Sequence, residues 1–184
     1  MKKLRLILLL TAGMFVACND DDDDNMAPTV SEADRTFVNN AADGGMFEVR
    51  AGEMAVAKGD STAMGMVMGS DSMSIKSFGQ MMITDHTKAN DELKSLADRK
   101  NVNVPTSLSS NKQMMLDSLN GASGVAFSRM YAKMMVASHK ETVALFEKQS
   151  NDGQDTELKT WASQKLPTLK HHLEMAEDMH EEVK

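Results

Sequence analysis

"IKSFGQMMITDHTKANDELKSL", residues 75–96, is the most informative part of the chain for its fold. Its apolar side chains recur every three or four residues, the spacing that keeps them on one face of an α-helix. The face comprises Ile75, Phe78, Met82, His86, Ala89, Leu93 and Leu96. The pattern predicts a helix over about 75–100 with one buried side. His86 lies in the middle of that side, where an imidazole must find a hydrogen-bond partner or bind a ligand.

Three further helices with similar stripes are predicted. The first opens at Ser31, with Asp34 in the position of a capping box, and runs to about residue 58. The next helix covers about 110–149 and is interrupted at 120–124, and the last helix starts near residue 155. Each stripe includes a glutamate or a histidine: Glu48 between Ala41 and Ala55, His139 between Met135 and Phe146, and His172 between Leu169 and Ala176.

The composition of the chain agrees with a single helical domain. Its 184 residues, 41% of them hydrophobic, are enough for one core. Aromatic residues make up only 4%, whereas methionine reaches 18 residues, which favours helices packed through flexible side chains over a β-sandwich. We therefore expect an all-α fold, an up-down four-helix bundle over residues 31–184.

The N-terminus has the pattern of a lipoprotein signal peptide. Lys2, Lys3 and Arg5 precede an apolar run that is too short to span a bilayer well, so residues 1–17 are predicted to be an export signal. The run ends in "FVAC", which resembles a lipobox, and Cys18 is the only cysteine of the chain. Lipidation of Cys18 would anchor the protein to a membrane. The alternative is an ordinary signal peptide whose cleavage leaves an unpaired thiol.

Residues 18–30 are predicted to be a disordered tether. The sequence "NDDDDDN", residues 19–25, is too acidic and too poor in apolar groups to fold. Acidic residues behind a lipidated cysteine also resemble the signal that sends some lipoproteins to the outer face of the outer membrane, although a plain spacer would look the same. The sequence thus predicts a cell-envelope protein, an outer-membrane lipoprotein exposed at the surface.

The charge of the mature chain argues against nucleic acid as a partner. Removing residues 1–17 takes away three bases and no acids, which leaves 17 bases against 27 acids and a net charge of −10. Such a surface repels phosphate groups. The sequence does not identify a protein partner.

The polar residues of the four stripes are expected to meet in one layer. In an up-down-up-down bundle, Glu48, His86 and His139 each lie about 10 or 11 residues from the same pole, whereas His172 lies about 16 from it, a mismatch of roughly 9 Å. Imidazole nitrogens with one carboxylate suit Zn, Fe, Mn or Ni. We therefore predict a metal site formed by Glu48, His86, His139 and His172, which Asp85 and Asn90 support by orienting the ligands.

Two alternatives to this site stay open at this point. The same cluster can be a buried hydrogen-bond network that fixes the register of a non-catalytic structural or interaction lipoprotein. A second possibility is Cu(I) binding by the thioethers of Met64, Met66 and Met68, which we consider the weaker interpretation because such a loop more often packs its methionines on the core.

The quoted helix also belongs to a set of motifs that resembles a known family. "GGMFEV" (44–49), "MMITDHTKANDEL" (81–93), "MVASHKETVALFE" (135–147) and "LPTLKHHLEMA" (166–176) together resemble domain of unknown function 4142, which is grouped with ferritin-like folds. The resemblance covers about residues 32–179. It implies a ferritin-like four-helix bundle that is usually exported, and it matches Glu48, Asp85, His86, Asn90, His139, Pro167 and His172. It implies no particular activity.

The expected function is therefore that of an exported, lipid-anchored, ferritin-like protein that binds one transition metal in the bundle core, with a role in envelope stress or redox protection. A single ion is expected because di-iron sites of this fold need Glu-x-x-His on two helices. The residues three positions before His86, His139 and His172 carry no carboxylate. Whether the protein is an enzyme stays open, since the sequence shows no nucleophile–base pairing, phosphate-binding loop or nucleotide fingerprint that would identify a reaction.

Overall fold

The structure, a computed structural model, describes residues 30–61 and 73–184. Its elements are five α-helices: α1 (Glu32–Lys58), α2 (Ile75–Arg99), α3 (Ser110–Gly121), α4 (Gly124–Asp152) and α5 (Thr156–Glu182). The all-α fold is confirmed, and so is the interruption near residues 120–124. In this part of the chain no helix combines the length and apolar character needed to cross a membrane. Cys18 and the acidic tether lie outside the described residues, as do Met64, Met66 and Met68.

Polar side chains set the starts of the helices. The hydroxyl of Ser31 accepts the backbone N–H of Asp34 at the start of α1, and the carboxylate of Asp155 accepts the N–H groups of Glu157 and Leu158 at the start of α5. These contacts satisfy backbone donors that the first turn of a helix leaves unbonded. The carboxylate of Asp34 departs from a capping box, because it accepts from the Ser31 hydroxyl and then reaches the far end of α4.

Contacts between helix ends give the direction of each helix. Lys100, just after α2, forms ion pairs with Asp155 and Glu157 at the start of α5, so both ends lie at the pole where α1 begins. At the opposite pole, the guanidinium of Arg129 near the start of α4 donates to the carbonyl of Val183, which follows α5. The four long helices therefore run up, down, down and up.

The second hairpin thus starts at the pole where α1 ends, whereas a simple up-down-up-down order would put its turn at that pole. The connection after α2 carries the chain back along the bundle: the backbone N–H of Ser109 donates to Asp43 midway along α1, and Lys58 at the end of α1 donates to Asn120 at the end of α3. One long crossover of this kind is the topology of ferritin-like folds. The four-helix bundle is confirmed, and the simple alternation of its helices is corrected.

This correction removes the mismatch at His172. Glu48 follows the start of α1 by the same number of positions as His172 follows the start of α5. His86 precedes the end of α2 by the same number of positions as His139 precedes the end of α4. The two pairs differ in distance from their common pole by about three residues, or about 4.5 Å along a helix. All four polar residues therefore share one layer.

The layer divides the core in two. Towards the pole where α1 begins, Phe37, Phe146 and Trp161 pack against one another within one apolar cluster. Towards the other pole, a second cluster contains Phe47, Phe78, Tyr131 and Met135 together with Leu116 and Leu119 of α3. Each half buries its own apolar surface, so the polar layer sits at the centre of the bundle with an apolar core on both sides.

Close packing of α1 on α2 fixes the lateral position of the layer. A Cβ atom on Gly52 would lie 2.7 Å from the carbonyl oxygen of Gly79, and one on Gly79 would lie 2.6 Å from the Cβ of Ala55. Contacts that short are not tolerated, so glycine is required at this crossing. The approach brings Glu48, one turn before Gly52, against His86 on the neighbouring helix.

Candidate metal centre

Three histidines from three helices meet in the layer. His86 comes from α2, His139 from α4 and His172 from α5, and these residues are 5%, 0% and 1% exposed. Their ring centroids are 5.4–5.6 Å apart. One nitrogen of each ring lies within 4.8 Å of the corresponding nitrogens of the other two. Convergence of three buried imidazoles is the principal feature of this site.

The other nitrogen of each ring lies next to an oxygen atom. His172 Nε2 donates to Asp85 Oδ2 at 3.0 Å, and His139 Nδ1 donates to the carbonyl of Met135 at 2.9 Å. His86 Nδ1 lies 3.1 Å from Oε2 of Glu48. Because a carbonyl or a carboxylate only accepts, the ring nitrogen that faces it carries the proton. The remaining nitrogen of each neutral ring then has a free lone pair.

Those three remaining nitrogens have no hydrogen-bond partner among the described residues. They are His86 Nε2, His139 Nε2 and His172 Nδ1, and all three are buried. A buried polar atom without a partner is costly and usually marks an ion or water that belongs to the site. Three of them in one place suit a metal ion, because neutral imidazole nitrogens are the common ligands of transition metals.

Burial keeps His139 and His172 in the form that binds metal. It lowers the pKa of His139, an effect that His86 increases and Glu48 opposes. Burial, followed by His86 and His139, lowers the pKa of His172 to about 4, against the effect of its hydrogen bond to Asp85. His139 and His172 are therefore neutral at pH 7, and their lone pairs are available for coordination.

Glu48 is a fully buried carboxylate on the outer side of two of the rings. Its Oε1 accepts the hydroxyl of Ser138 at 2.9 Å and lies 3.7 Å from His139 Nδ1. Burial alone would raise the pKa of Glu48, but His86, His139 and Ser138 outweigh it and hold the pKa below its ordinary value. The group is therefore ionised at pH 7 and orients two imidazoles, the arrangement found behind many metal-bound histidines.

The structure thus brings together all four residues predicted as ligands, although Glu48 faces the protonated nitrogens of the rings. Asp85, predicted at the edge of the stripe, is 41% exposed at its side chain and holds His172. Asn90 packs on α1 instead, since a Cβ on Gly45 would lie 2.0 Å from its Oδ1. That position gives Asn90 no hydrogen bond to a ring among the described residues. The role of each residue as a ligand or a support stays a prediction.

Sequence reasoning missed two residues beside the layer. Ser138, which donates to Glu48, precedes His139 and lies just off the apolar stripe of α4. Tyr131, two turns before His139, has a buried hydroxyl with no partner among the described residues, and burial followed by Glu48 raises its pKa. The Tyr131 position could have been flagged, because a tyrosine on a fully buried stripe needs a partner for its hydroxyl.

A cavity leads from the layer to the surface between α2 and α5. Its volume is about 140 Å³, and His86 and His172 form part of its inner end. Near its mouth, the carboxylate of Glu92 on α2 accepts from Trp161 Nε1 at 3.0 Å and pairs with Lys165 on α5. The cavity gives an ion a path to the three free nitrogens, which a functional metal site requires.

The donor set fits a borderline transition metal. Bonds of about 2.0–2.1 Å to a tetrahedral ion place ligand nitrogens about 3.3 Å apart, so small movements of the rings would close the present separation. Three imidazole ligands leave a coordination position open. The only cysteine, Cys18, lies outside the described residues, so thiolate ligands play no part in the site as described.

Comparison with known proteins gives a family and a fold. A family model described as "Domain of unknown function (DUF4142)" matches residues 20–179. The solved structure "CopM in the Cu(II)-bound form" is similar, with a TM-score of 0.61 and 16% identity over 80% of this chain and 95% of that chain. At that identity the likeness shows a shared fold alone. No curated protein matches the chain.

Proposed function

We propose that this chain, which belongs to the DUF4142 family, binds one transition-metal ion through His86, His139 and His172. The observation that carries the proposal is the convergence of three buried rings from three helices: they offer ligand nitrogens within 4.8 Å of one another, and each ring has one nitrogen without a partner among the described residues. Asp85 accepts a hydrogen bond from the opposite nitrogen of His172 and so orients that ring, and Glu48 lies 3.1 Å from the opposite nitrogen of His86.

Zn²⁺ and Cu²⁺ are the metals to test first, followed by Fe²⁺, Mn²⁺ and Ni²⁺. Three imidazoles with an open position are a familiar donor set for Zn²⁺. Cu²⁺ binds nitrogen ligands more tightly than the other divalent ions of its row. The Cu(II) of the structural neighbour CopM gives a second reason to include it. Cu(I) at Met64, Met66 and Met68 is the less favoured proposal.

Metal content of the purified protein tests the site directly. We expect about one ion per chain by elemental analysis after exposure to each metal, and we expect His86→Ala and His139→Ala to lose it. His171→Ala is the matched control, because His171 is exposed on α5 next to His172 and outside the cluster. Protein that holds no metal and gains no thermal stability from any of these ions would refute the proposal.

The competing function is a structural one, in which the cluster is a hydrogen-bond network that fixes the register of the helices. The contacts of Glu48 with Ser138 and of Asp85 with His172 favour it. The three unpartnered nitrogens oppose it, because a complete network leaves no buried group unsatisfied. Thermal stability that falls in His86→Ala while no metal binds to the native protein would support this alternative.

We also propose that the protein is located in the cell envelope. Export by residues 1–17 and lipidation at Cys18 would anchor the metal site at the outer membrane, with a role in envelope stress or redox protection. Fractionation of cells that express the native chain and Cys18→Ser tests the anchor: the native protein should partition with membranes and the variant should not. Complementation of a deletion strain under excess metal or peroxide, with His86→Ala as the control, tests the role.

A further inference from the structure

The cavity between α2 and α5 is larger than a metal ion needs. Its volume of about 140 Å³ is several times the roughly 30 Å³ that one water occupies in the liquid. Two buried rings at its inner end, His86 and His172, each carry one nitrogen without a partner among the described residues. The space beside them can therefore hold a small organic molecule as well as an ion.

Much of the cavity wall is apolar. The side chains of Leu93, Phe146, Trp161 and Leu169 line it, and the hydroxyl-bearing Thr142 and Thr168 contribute polar groups. Apolar walls with a few convergent polar groups are the usual lining of a small-molecule site. A ligand that fits this lining has a flat or short apolar body.

The charge of the lining depends on the metal. Lys88 and Lys165 line the cavity together with Glu48 and Asp85, so among these four side chains two positive groups balance two negative ones. A divalent ion gives these groups a net charge of +2. The net charge is +1 if Glu92, which pairs with Lys165, is also counted. At short range in a partly buried site such an excess attracts an anion.

We propose that this cavity binds a small monocarboxylate with an apolar body, and that it does so only when the histidine cluster holds its metal. The proposal rests on the metal binding proposed above. The carboxylate lies towards the inner, net positive end, and the apolar body packs against Trp161 and Leu169.

Trp161, the only tryptophan of the chain, gives a reporter inside the cavity. The probes are benzoate and its uncharged isostere benzamide, titrated into zinc-loaded and metal-free protein, with Trp161 fluorescence and calorimetry as readouts. Zinc is chosen because it has no redox chemistry. We expect benzoate to bind the zinc-loaded protein at least about tenfold more tightly than benzamide, and the metal-free protein to bind neither measurably.

Two variants separate the cavity from the metal. Ala89→Leu fills the cavity and should abolish benzoate binding while zinc content stays the same; Ala137→Leu adds the same atoms on an exposed face of α4 and should change neither. Lys88→Met, at an exposed position, should weaken benzoate binding about three- to tenfold with no change in packing, so it tests the charge even if Ala89→Leu fails to fold.

The outcomes distinguish failure of the carboxylate site from failure of the metal site. Protein that holds no zinc overturns both. Zinc-loaded protein that binds benzoate and benzamide equally, or that binds benzoate equally with and without zinc, overturns the carboxylate site alone. Benzoate binding that survives both Ala89→Leu and Lys88→Met overturns it as well.

Discussion

Two polar sites in this bundle are equally buried but differ in how far their hydrogen-bonding groups are satisfied. Asp34, near the start of α1, is 0% exposed, and its carboxylate accepts from Ser31 and Gln149 and from the backbone N–H groups of Gln154 and Asp155. The histidine layer, further along the bundle, is as deeply buried but leaves three ring nitrogens without partners among the described residues.

This contrast separates a structural polar group from a binding one. Both oxygens of Asp34 are used within the fold, so the group joins the starts of α1 and α5 to the end of α4 and has nothing left for a ligand. In the histidine layer, hydrogen bonds use one nitrogen of His139 and one of His172, and Glu48 Oε2 beside His86 is unpartnered as well. Burial alone therefore does not tell a structural polar group from a ligand-binding one. The unused hydrogen-bonding capacity of the buried atoms does.

The largest effect is expected at the Asp34 site. Asp34→Ala removes both carboxylate acceptors and leaves the buried amide of Gln149 and the partly buried backbone N–H groups of Gln154 and Asp155 without this partner, so we expect the free energy of unfolding to fall by about 3 kcal/mol. Urea denaturation measures it. Asp117→Ala, at an exposed position of α3, is the control and should stay within about 0.5 kcal/mol. A loss at Asp34 as small as that of the control would remove the distinction between the two sites.

The next effect is expected on metal affinity. Asp85→Ala removes the acceptor that orients His172, and metal affinity should fall about 10- to 100-fold. Calorimetric titration with Zn²⁺ measures this change. Asp91→Ala, at an exposed position further along α2, should leave the affinity unchanged, and so should Asp34→Ala. If Asp34→Ala weakened the metal as much as Asp85→Ala, the two sites would have to be treated as one network.

A smaller effect of opposite sign is expected in the metal-free protein. His172→Leu replaces a buried ring that has one unpartnered nitrogen, and Asp85, partly exposed, can bond to water instead. The free energy of unfolding should stay the same or rise by up to about 1 kcal/mol. Denaturation in the presence of a chelator checks this. A fall of several kcal/mol would show that the layer is structural, like Asp34.

The smallest effect concerns pH. Burial raises the pKa of Asp34, but hydrogen bonds from Gln149, Ser31, Asp155 and Gln154 outweigh it and leave the pKa below its ordinary value. A lowered carboxyl pKa stabilises the fold above the unfolded-state pKa of about 3.9, and the contribution is lost as pH falls through the folded value. The stability difference between native protein and Asp34→Asn should therefore shrink below about pH 4. Urea denaturation at several pH values tests it, and a constant difference would contradict it.

The local parts of the fold followed from the sequence. Helix limits were predictable because apolar periodicity and capping residues act within a few residues of one another, as Ser31 and Ile75 show. The candidate residues could be found for the same reason: Glu48, His86, His139 and His172 interrupt stripes that are mostly apolar, and a polar group on a buried face needs a partner. Each of these predictions uses the sequence of a single helix and no contact between helices.

The direction of the second hairpin and the use of each nitrogen required the packed helices. The crossover along α1 depends on contacts such as Ser109 with Asp43, which join residues far apart in sequence. Which nitrogen of His172 is free depends on where Asp85 of another helix lies. Hydrogen bonds act over about 3 Å between groups from different helices, so no single stripe contains this information. The sequence therefore identifies which residues are buried, and the packing of the helices selects which of their atoms remain free.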